Sequence, residues 1–346
     1  EMRALRTDST DYASCIIFRM GDSIDSWDAC DSALLKHTVA SAGVGVDIAD
    51  VSSIGDKVKS GKIAHSGKLP ICKSIDSTIQ KASQNGRRGS ATPYIAFFDP
   101  EIETIFALKS PRMPVEDRIN DLSYGIKLNQ LVYDRAKSGG VISLFSVRKA
   151  PKLLELFYGN DIDVFTKYYE QCEAEELYTS QIDAQDYWER LITIESTETS
   201  SYYIMNIDEM NSNSHIPRPI TMANICIEYM TSVQPLSSEH PNRPDVGVCV
   251  LGNVNQGLVP IERLPHITNL LVRAQSHIMT RQVHPTSQAN AYVDIYHDIG
   301  LGLSNHAFWL ANQGLRYGQS EALLKHDQWM EHFSYNCHVA SVQLAR

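Results

Sequence analysis

Asn224-Ile225-Cys226-Ile227-Glu228 is the stretch around which the rest of the 346-residue chain can be organised. In extended backbone alternate side chains share a face, so Asn224, Cys226 and Glu228 project one way and Ile225 and Ile227 the other. An amide, a thiol and a carboxylate then meet at one place, while the isoleucines root the segment in apolar packing. Pro217 and Pro219 just upstream restrict the entry and disfavour helix. The prediction is a loop that turns its polar trio toward a pocket. Pattern alone also fits a half-buried strand with an inert thiol.

Outward from that stretch the chain alternates between strand and helix signals. Residues 12–20 read as a strand with Cys15 in its middle. A helix capped by Asp25 or Ser26 runs to about residue 42 with Ala29, Ala33, Leu34 and Val39 on one stripe, and Gly43 stops it. A buried strand over 43–47 and a loop over 49–67 follow, then a helix over 75–83. Residues 84–90 form a loop rich in Gly and Arg. Further strands are predicted at 94–98, 141–145 and 202–205, with a helix at 100–108 and a strand leading into a helix at 125–131. Residues 151–194 read as mostly helical and acidic, with Tyr168, Tyr169, Tyr178, Tyr187 and Trp188 as packing residues. A polar connector over 206–219 delivers the central stretch. The strand at 246–251 carries Cys249, and helices are predicted at 264–281 and 321–345. Such alternation predicts an α/β fold with parallel strands and helical crossovers.

The formal charge of -10 disfavours a general nucleic-acid surface. Lys57, Lys59, Lys62 and Lys68 make one local basic stretch, which fits either phosphate contact or a solvated loop. No apolar run reaches membrane-spanning length, and the N-terminal residues lack the apolar core of a signal peptide, so a cytoplasmic protein is expected. The cysteines, seven in all, are scattered and include no C-x-x-C pair. Neither a disulfide framework nor a metal site is signalled.

The run Ile220-Thr-Met-Ala-Asn-Ile-Cys-Ile-Glu-Tyr-Met230 resembles the finger-loop motif of the ribonucleotide reductase large subunit, in which Asn-x-Cys-x-Glu carries the thiyl-radical cysteine. Tyr12-Ala-Ser-Cys-Ile-Ile-Phe18 resembles that family's first cysteine strand. Gly247-Val-Cys249-Val-Leu-Gly-Asn253 resembles the strand with its second redox cysteine. Asp22 with Ser23, the loop Ser83-Gln-Asn-Gly-Arg-Arg-Gly-Ser-Ala-Thr92 and a Gly-rich turn at Ile299-Gly-Leu-Gly-Leu303 fall in family order. The resemblance implies a partial ten-stranded α/β barrel with an inward finger loop. Residues 1–215 would form the first half-barrel with its effector loops, 216–236 the finger loop, and 237–346 the incomplete start of the second half. The match covers the central portion of a family member. The Ile225 and Ile227 spacers resemble the class that draws its radical from a separate metal-containing small subunit.

What the resemblance implies for single residues is specific. Cys226 would be the thiyl that abstracts the 3' hydrogen of a ribonucleoside diphosphate, Glu228 the base for its 3'-hydroxyl, and Asn224 a substrate-orienting amide. Cys15 and Cys249 would supply reducing equivalents and end as a transient disulfide, re-reduced by thioredoxin or glutaredoxin. Ser14 and Gly43 would contact substrate. Asp22, Lys59, Gln84 and Arg88 would bind a dNTP or ATP effector. Asp50 and Ser52 depart from the family, standing where arginines would grip phosphate, and an aspartate there repels it. His297 and Asp298 stand where basic residues are common. A homodimer and a complementary large-subunit fragment are the expected protein partners. The competing reading is a truncated, non-catalytic effector-binding or dimerisation module.

Overall fold

The computed structural model describes residues 12–58, 60–82, 88–194, 196, 202–214 and 216–346. The chain divides into two compact units. The larger comprises Cys15–Gly247 and Pro285–Tyr292, and the smaller Glu1–Ser14, Val248–His284 and Val293–Arg346.

In the larger unit the elements run β1 (Cys15–Arg19), α1 (Ile24–Val39), β2 (Gly43–Asp47), β3 (Lys57–Val58), β4 (Ile63–Ala64), α2 (Leu69–Lys81), β5 (Ser90–Ala96), α3 (Ile102–Ala107) and β6 (Tyr124–Leu128). They continue with α4 (Gln130–Ser138), β7 (Val141–Leu144), α5 (Pro151–Phe157), α6 (Ile162–Ala174), β8 (Ser180–Asp183), α7 (Ala184–Thr193), β9 (Tyr202–Asn206), α8 (Ile207–Ser212), β10 (Met222–Ala223) and β11 (Met230–Thr231). Strands β1, β2, β5, β6 and β9 lie side by side in that order, every pair parallel. Parallel strands covered on both faces read as unbroken apolar runs rather than alternations. Cys15-Ile-Ile-Phe-Arg19 does so, with all five residues buried.

The expected α/β class with helical crossovers is the one observed. Several local expectations need correction. The N-cap of α1 is Ser23, whose side chain accepts from the Ser26 amide, and the helix ends at Val39 because Ser41 takes a left-handed φ of 71°. Helix α2 begins at Leu69, with Pro70 in its first turn, where a missing N–H costs nothing. Residues 141–144 do not join the parallel strands: β7 pairs antiparallel with β8 in a separate ribbon. The polar connector contains helix α8. Tyr169 and Tyr187 are buried packing residues, as expected. The Tyr169 hydroxyl both donates to Ser143 O and accepts from Ser143 N, at 2.7 Å each.

The smaller unit contains the continuation of β12 (Gly247–Asn255), then α9 (Leu264–Arg281), the end of α10 (Ser287–Tyr296), β13 (Ile299–Ser304), α11 (His306–Asn312) and α12 (Ser320–Ala345). Strands β12 and β13 are parallel. Val254, Leu264, Trp329, Phe333 and Cys337 form its core, with Trp329 stacked on Phe333 at 5.3 Å between centroids. The segment read as a Gly-rich turn at 299–303 is thus strand. Its glycines serve packing, since a Cβ on Gly300 would stand 2.3 Å from a methyl of Leu251 and 3.2 Å from Cys249 Sγ. Among the described residues no helix is long and apolar enough to cross a membrane.

Candidate active site

The central stretch is the turn of a hairpin. Strands β10 and β11 pair antiparallel, Met222 opposite Thr231 and Ala223 opposite Met230. The Asn224 amide donates to Tyr229 O at 2.9 Å and closes the turn. Within it Ile227 adopts φ of 60°. That is an outlying conformation for a β-branched residue, costing about 1–3 kcal/mol and kept only where its surroundings impose it. The extended alternation predicted for the stretch therefore fails at its tip. Asn224 is fully buried, Cys226 and Glu228 are exposed, and Ile225 and Ile227 are intermediate.

Asn224 supplies much of the restraint. Its Oδ1 accepts from the amides of Glu228 and Tyr229, both at 3.1 Å, the local bonding for which asparagine is favoured in turns. Its Nδ2 donates to Cys15 Sγ at 3.0 Å. The Cys15 thiol in turn points at Glu228 Oε1, 3.6 Å away. Residues 213 positions apart are thereby joined around one amide. Cys226 sits at the exposed tip. Partial burial and the Glu228 carboxylate push its thiol up from the ordinary range, while a hydrogen bond with Tyr203 of β9 pulls the other way.

The hairpin reaches this position because β2 offers glycines where it crosses. A Cβ on Gly43 would lie 3.0 Å from Ile225 Cγ2, and one on Gly45 only 2.3 Å from Ala223 O. Gly43 also stands opposite Cys15 in the β1–β2 register. The second leg of the hairpin is tied to Tyr292, whose hydroxyl lies 2.9 Å from that of Tyr229 and 2.5 Å from Thr231 Oγ1.

At the foot of the hairpin lies a buried ion network that no local motif announces. Lys127 Nζ is 2.6 Å from Asp47 Oδ2, and Arg19 meets Asp47 at 3.3 Å and Asp50 at 2.7 Å. The Tyr158 hydroxyl accepts from Lys127 at 2.7 Å and donates to Asp47 at 3.0 Å. Burial pulls Lys127 down to about 8 against the attraction of Asp47. Burial likewise raises Asp50 against the pull of Arg19. Arg19 also donates to Val233 O, and Leu236 N donates to Arg19 O, so the network anchors the chain leaving the hairpin.

The other sequence-predicted residues are placed as follows. Asp22 accepts from Ser52 N at 2.9 Å and Ser52 Oγ at 2.7 Å, and pairs with Arg148. Burial raises its carboxyl, but the Ser52 bonds and Arg148 outweigh that and hold it below the usual range. The departures at Asp50 and Ser52 thus have internal partners, Arg19 and Asp22. Asp22, Asp50 and Arg148 help line a cavity of about 870 Å³, whose walls include Tyr158, Pro219 and Gln234. Arg148 and Lys127 were missed because nothing near them in sequence signals their partners. Arg88 is exposed and pairs with Asp121 at 3.1 Å. Ser14 is half-buried just before β1. Lys59 and Gln84 lie outside the described residues. In the smaller unit Cys249 is buried on β12, its thiol 3.5 Å from Val250 O. No disulfide is formed among the described residues. Among the described residues no group of three or more His, Cys, Asp or Glu is arranged to hold a metal.

Parallel strands joined by helices, crossed by a hairpin whose Asn224 amide and Glu228 carboxylate meet the strand-borne Cys15, define an α/β domain of barrel type. The chain belongs to the ribonucleotide reductase family: residues 13–346 match the description "Ribonucleotide reductase, barrel domain". It is 30% identical over 350 residues to the ribonucleoside-diphosphate reductase subunit alpha of Buchnera aphidicola subsp. Baizongia pistaciae (strain Bp), covering 100% of this chain and 46% of that protein. Identity is 28% over 351 residues to the subunit alpha of Haemophilus influenzae and 28% over 351 residues to the 1 subunit alpha of Escherichia coli (strain K12), with the same coverage. The chain spans about half the length of the curated relatives it matches.

Proposed function

We propose that this chain forms the catalytic core of a ribonucleotide reductase large subunit that converts ribonucleoside diphosphates to deoxyribonucleotides. The observation that carries the reading is the Asn224–Cys15–Glu228 cluster at the turn that presents Cys226. A ribose 2'-hydroxyl is a poor leaving group, so activation at the neighbouring 3' carbon is required. Cys226, once oxidised to a thiyl by way of a metal-containing small subunit, takes the 3' hydrogen and becomes a thiol. Glu228 accepts the 3'-hydroxyl proton as a positioned base. Cys15 supplies a proton to the departing 2'-hydroxyl, which leaves as water. Cys15 and Cys249 together give up two electrons and form a disulfide, the second thiol hydrogen ending on the 2' carbon in place of the lost hydroxyl. Glu228 returns its proton to the 3' oxygen, and the hydrogen on Cys226 returns to the 3' carbon, which restores the thiyl. Thioredoxin or glutaredoxin then restores the thiols by exchange. Ser14 and Gly43 are proposed to contact substrate, and Asp22 and Arg88, with Lys59 and Gln84, a dNTP or ATP effector. Effector contact at Asp22 requires displacing the Ser52 and Arg148 contacts. A homodimer, with a complementary large-subunit segment supplying the remaining barrel, completes the reading.

The experiment is CDP reduction by the full chain with its small subunit, any complementary segment and a thioredoxin system. Cys226→Ala should abolish turnover, and Cys15→Ala or Cys249→Ala should abolish thioredoxin-dependent turnover. An assembly that binds dNTP yet reduces no ribonucleotide would establish the non-catalytic module instead.

A further inference from the structure

Two hydroxyls of β5 meet consecutive carbonyls of the hairpin turn. Thr92 Oγ1 donates to Ile225 O at 2.9 Å, and the Tyr94 hydroxyl donates to Asn224 O at 2.5 Å. Both residues are fully buried, and two positions apart on one strand they share a face. The Ile225 carbonyl belongs to the peptide that contains the Cys226 nitrogen. Thr92 therefore grips the peptide plane immediately before the thiol-bearing residue.

The Tyr94 ring lies against a hollow in β6. A Cβ on Gly125 would stand 2.1 Å from Tyr94 Cδ1 and 2.2 Å from Cε1, so only a residue without a side chain lets the ring lie there. The turn they hold contains the left-handed Ile227. Such a conformation persists where neighbouring contacts over-determine it. The Thr92 and Tyr94 bonds, the Gly43 and Gly45 contacts and the Asn224 side chain together do so.

We propose that Thr92 and Tyr94 are positioning residues for Cys226, fixing the orientation of the turn, and so the place of the sulfur, without touching substrate. The proposal rests on the thiyl role assigned to Cys226 above. Misplacing a reacting atom by about 1 Å can cost on the order of 100-fold in rate, so two hydrogen bonds on the adjoining peptides carry weight beyond their contribution to stability.

The test compares Thr92→Val, Thr92→Ser and Tyr94→Phe in the full chain assayed with its small subunit. Four quantities are read below the unfolding transition of every variant: kcat and KM for CDP, the rate of Cys226 alkylation by iodoacetamide located by peptide mass spectrometry, and the folded fraction. Thr92→Val and Tyr94→Phe are expected to lower kcat at least about tenfold with KM within about threefold. Both are expected to change the Cys226 alkylation rate at least about threefold, and Thr92→Ser is expected to retain most of the wild-type kcat. Wild-type kcat and alkylation in both Thr92→Val and Tyr94→Phe overturn the proposal. So does a loss that Thr92→Ser shares in full or that follows the folded fraction. A wild-type chain that reduces no nucleotide, yet shows the expected alkylation pattern, refutes the thiyl assignment while upholding the hold of β5 on the turn.

Discussion

Replacing Gly45 with alanine is the sharpest probe of how the hairpin seats. The added Cβ would stand 2.3 Å from the Ala223 carbonyl oxygen and 3.2 Å from both the Cα and carbonyl carbon of Asn224, all backbone atoms. Restoring ordinary contact at 3.4 Å moves the hairpin strand away by about 1.1 Å. Overpacking of that kind costs about 1–3 kcal/mol. For a unit of this size each kcal/mol lowers the midpoint by roughly 2–4 °C, so a fall of about 2–12 °C is expected. The same shift moves Cys226, three residues beyond Ala223, and turnover in the reconstituted reductase should drop on the order of 100-fold. Gly43→Ala is the internal control for stability alone, because Gly43 is itself proposed to contact substrate. The three atoms nearest its Cβ all belong to the Ile225 side chain, the closest at 3.0 Å, and that side chain can rotate aside, so its loss of stability should be clearly smaller. Calorimetry compares the two variants, and CDP reduction reads Gly45→Ala. Gly45→Ala matching wild type in both assays, or losing less stability than Gly43→Ala, would refute the described seating.

Three other perturbations follow from the structure. Asp47→Asn leaves Lys127 and Arg19 without their shared buried carboxylate and should cost about 3–5 kcal/mol in denaturant unfolding. The double change Asp47→Leu with Lys127→Met should recover much of that, and a single-variant loss under about 1 kcal/mol counts against the network. Glu228→Gln removes the charge that, after burial, raises the Cys226 thiol, so alkylation near pH 8 should accelerate severalfold; an unchanged rate contradicts the coupling. His284 is buried, and burial lowers it from 6.5 to about 4 against the pull of Asp294. Its folded-state value lies below its unfolded one, so the unfolded chain binds the extra proton and stability falls as pH drops from about 6.5 to 4. The loss attributable to this residue is up to about 3 kcal/mol, and His284→Leu should flatten that part of the stability profile.

The parts of this molecule legible in its sequence are those where local pattern and burial agree. The apolar run at β1 and the amphipathic residues of α9 announce themselves because burial on both faces, or on one stripe, writes directly into residue type. The resemblance of the Asn-x-Cys-x-Glu run to a family finger loop marked the segment as a loop and pointed to Cys15 and Cys249 as its companions. Its geometry was not legible, because alternation assumes extended backbone and Ile227 reverses the chain. Glycines misled at β13: they signal a turn locally, whereas Gly300 and Gly302 make room for Leu251 and Asn253 from the neighbouring strand. Lys127 and Arg148 were invisible for a related reason. Their partners Asp47 and Asp22 lie far away in the chain, and a lone cation carries no mark of what will neutralise it.

The left-handed backbone at Ile227 has a stereochemical corollary. Among genetically encoded residues only glycine enters that region freely, and glycine would forfeit the half-buried side chain found here. A D-isoleucine introduced by peptide ligation keeps the hydrocarbon while its mirror-image preference coincides with the observed φ. Inverting one chiral centre would thus separate what the backbone demands at this point from what the side chain contributes.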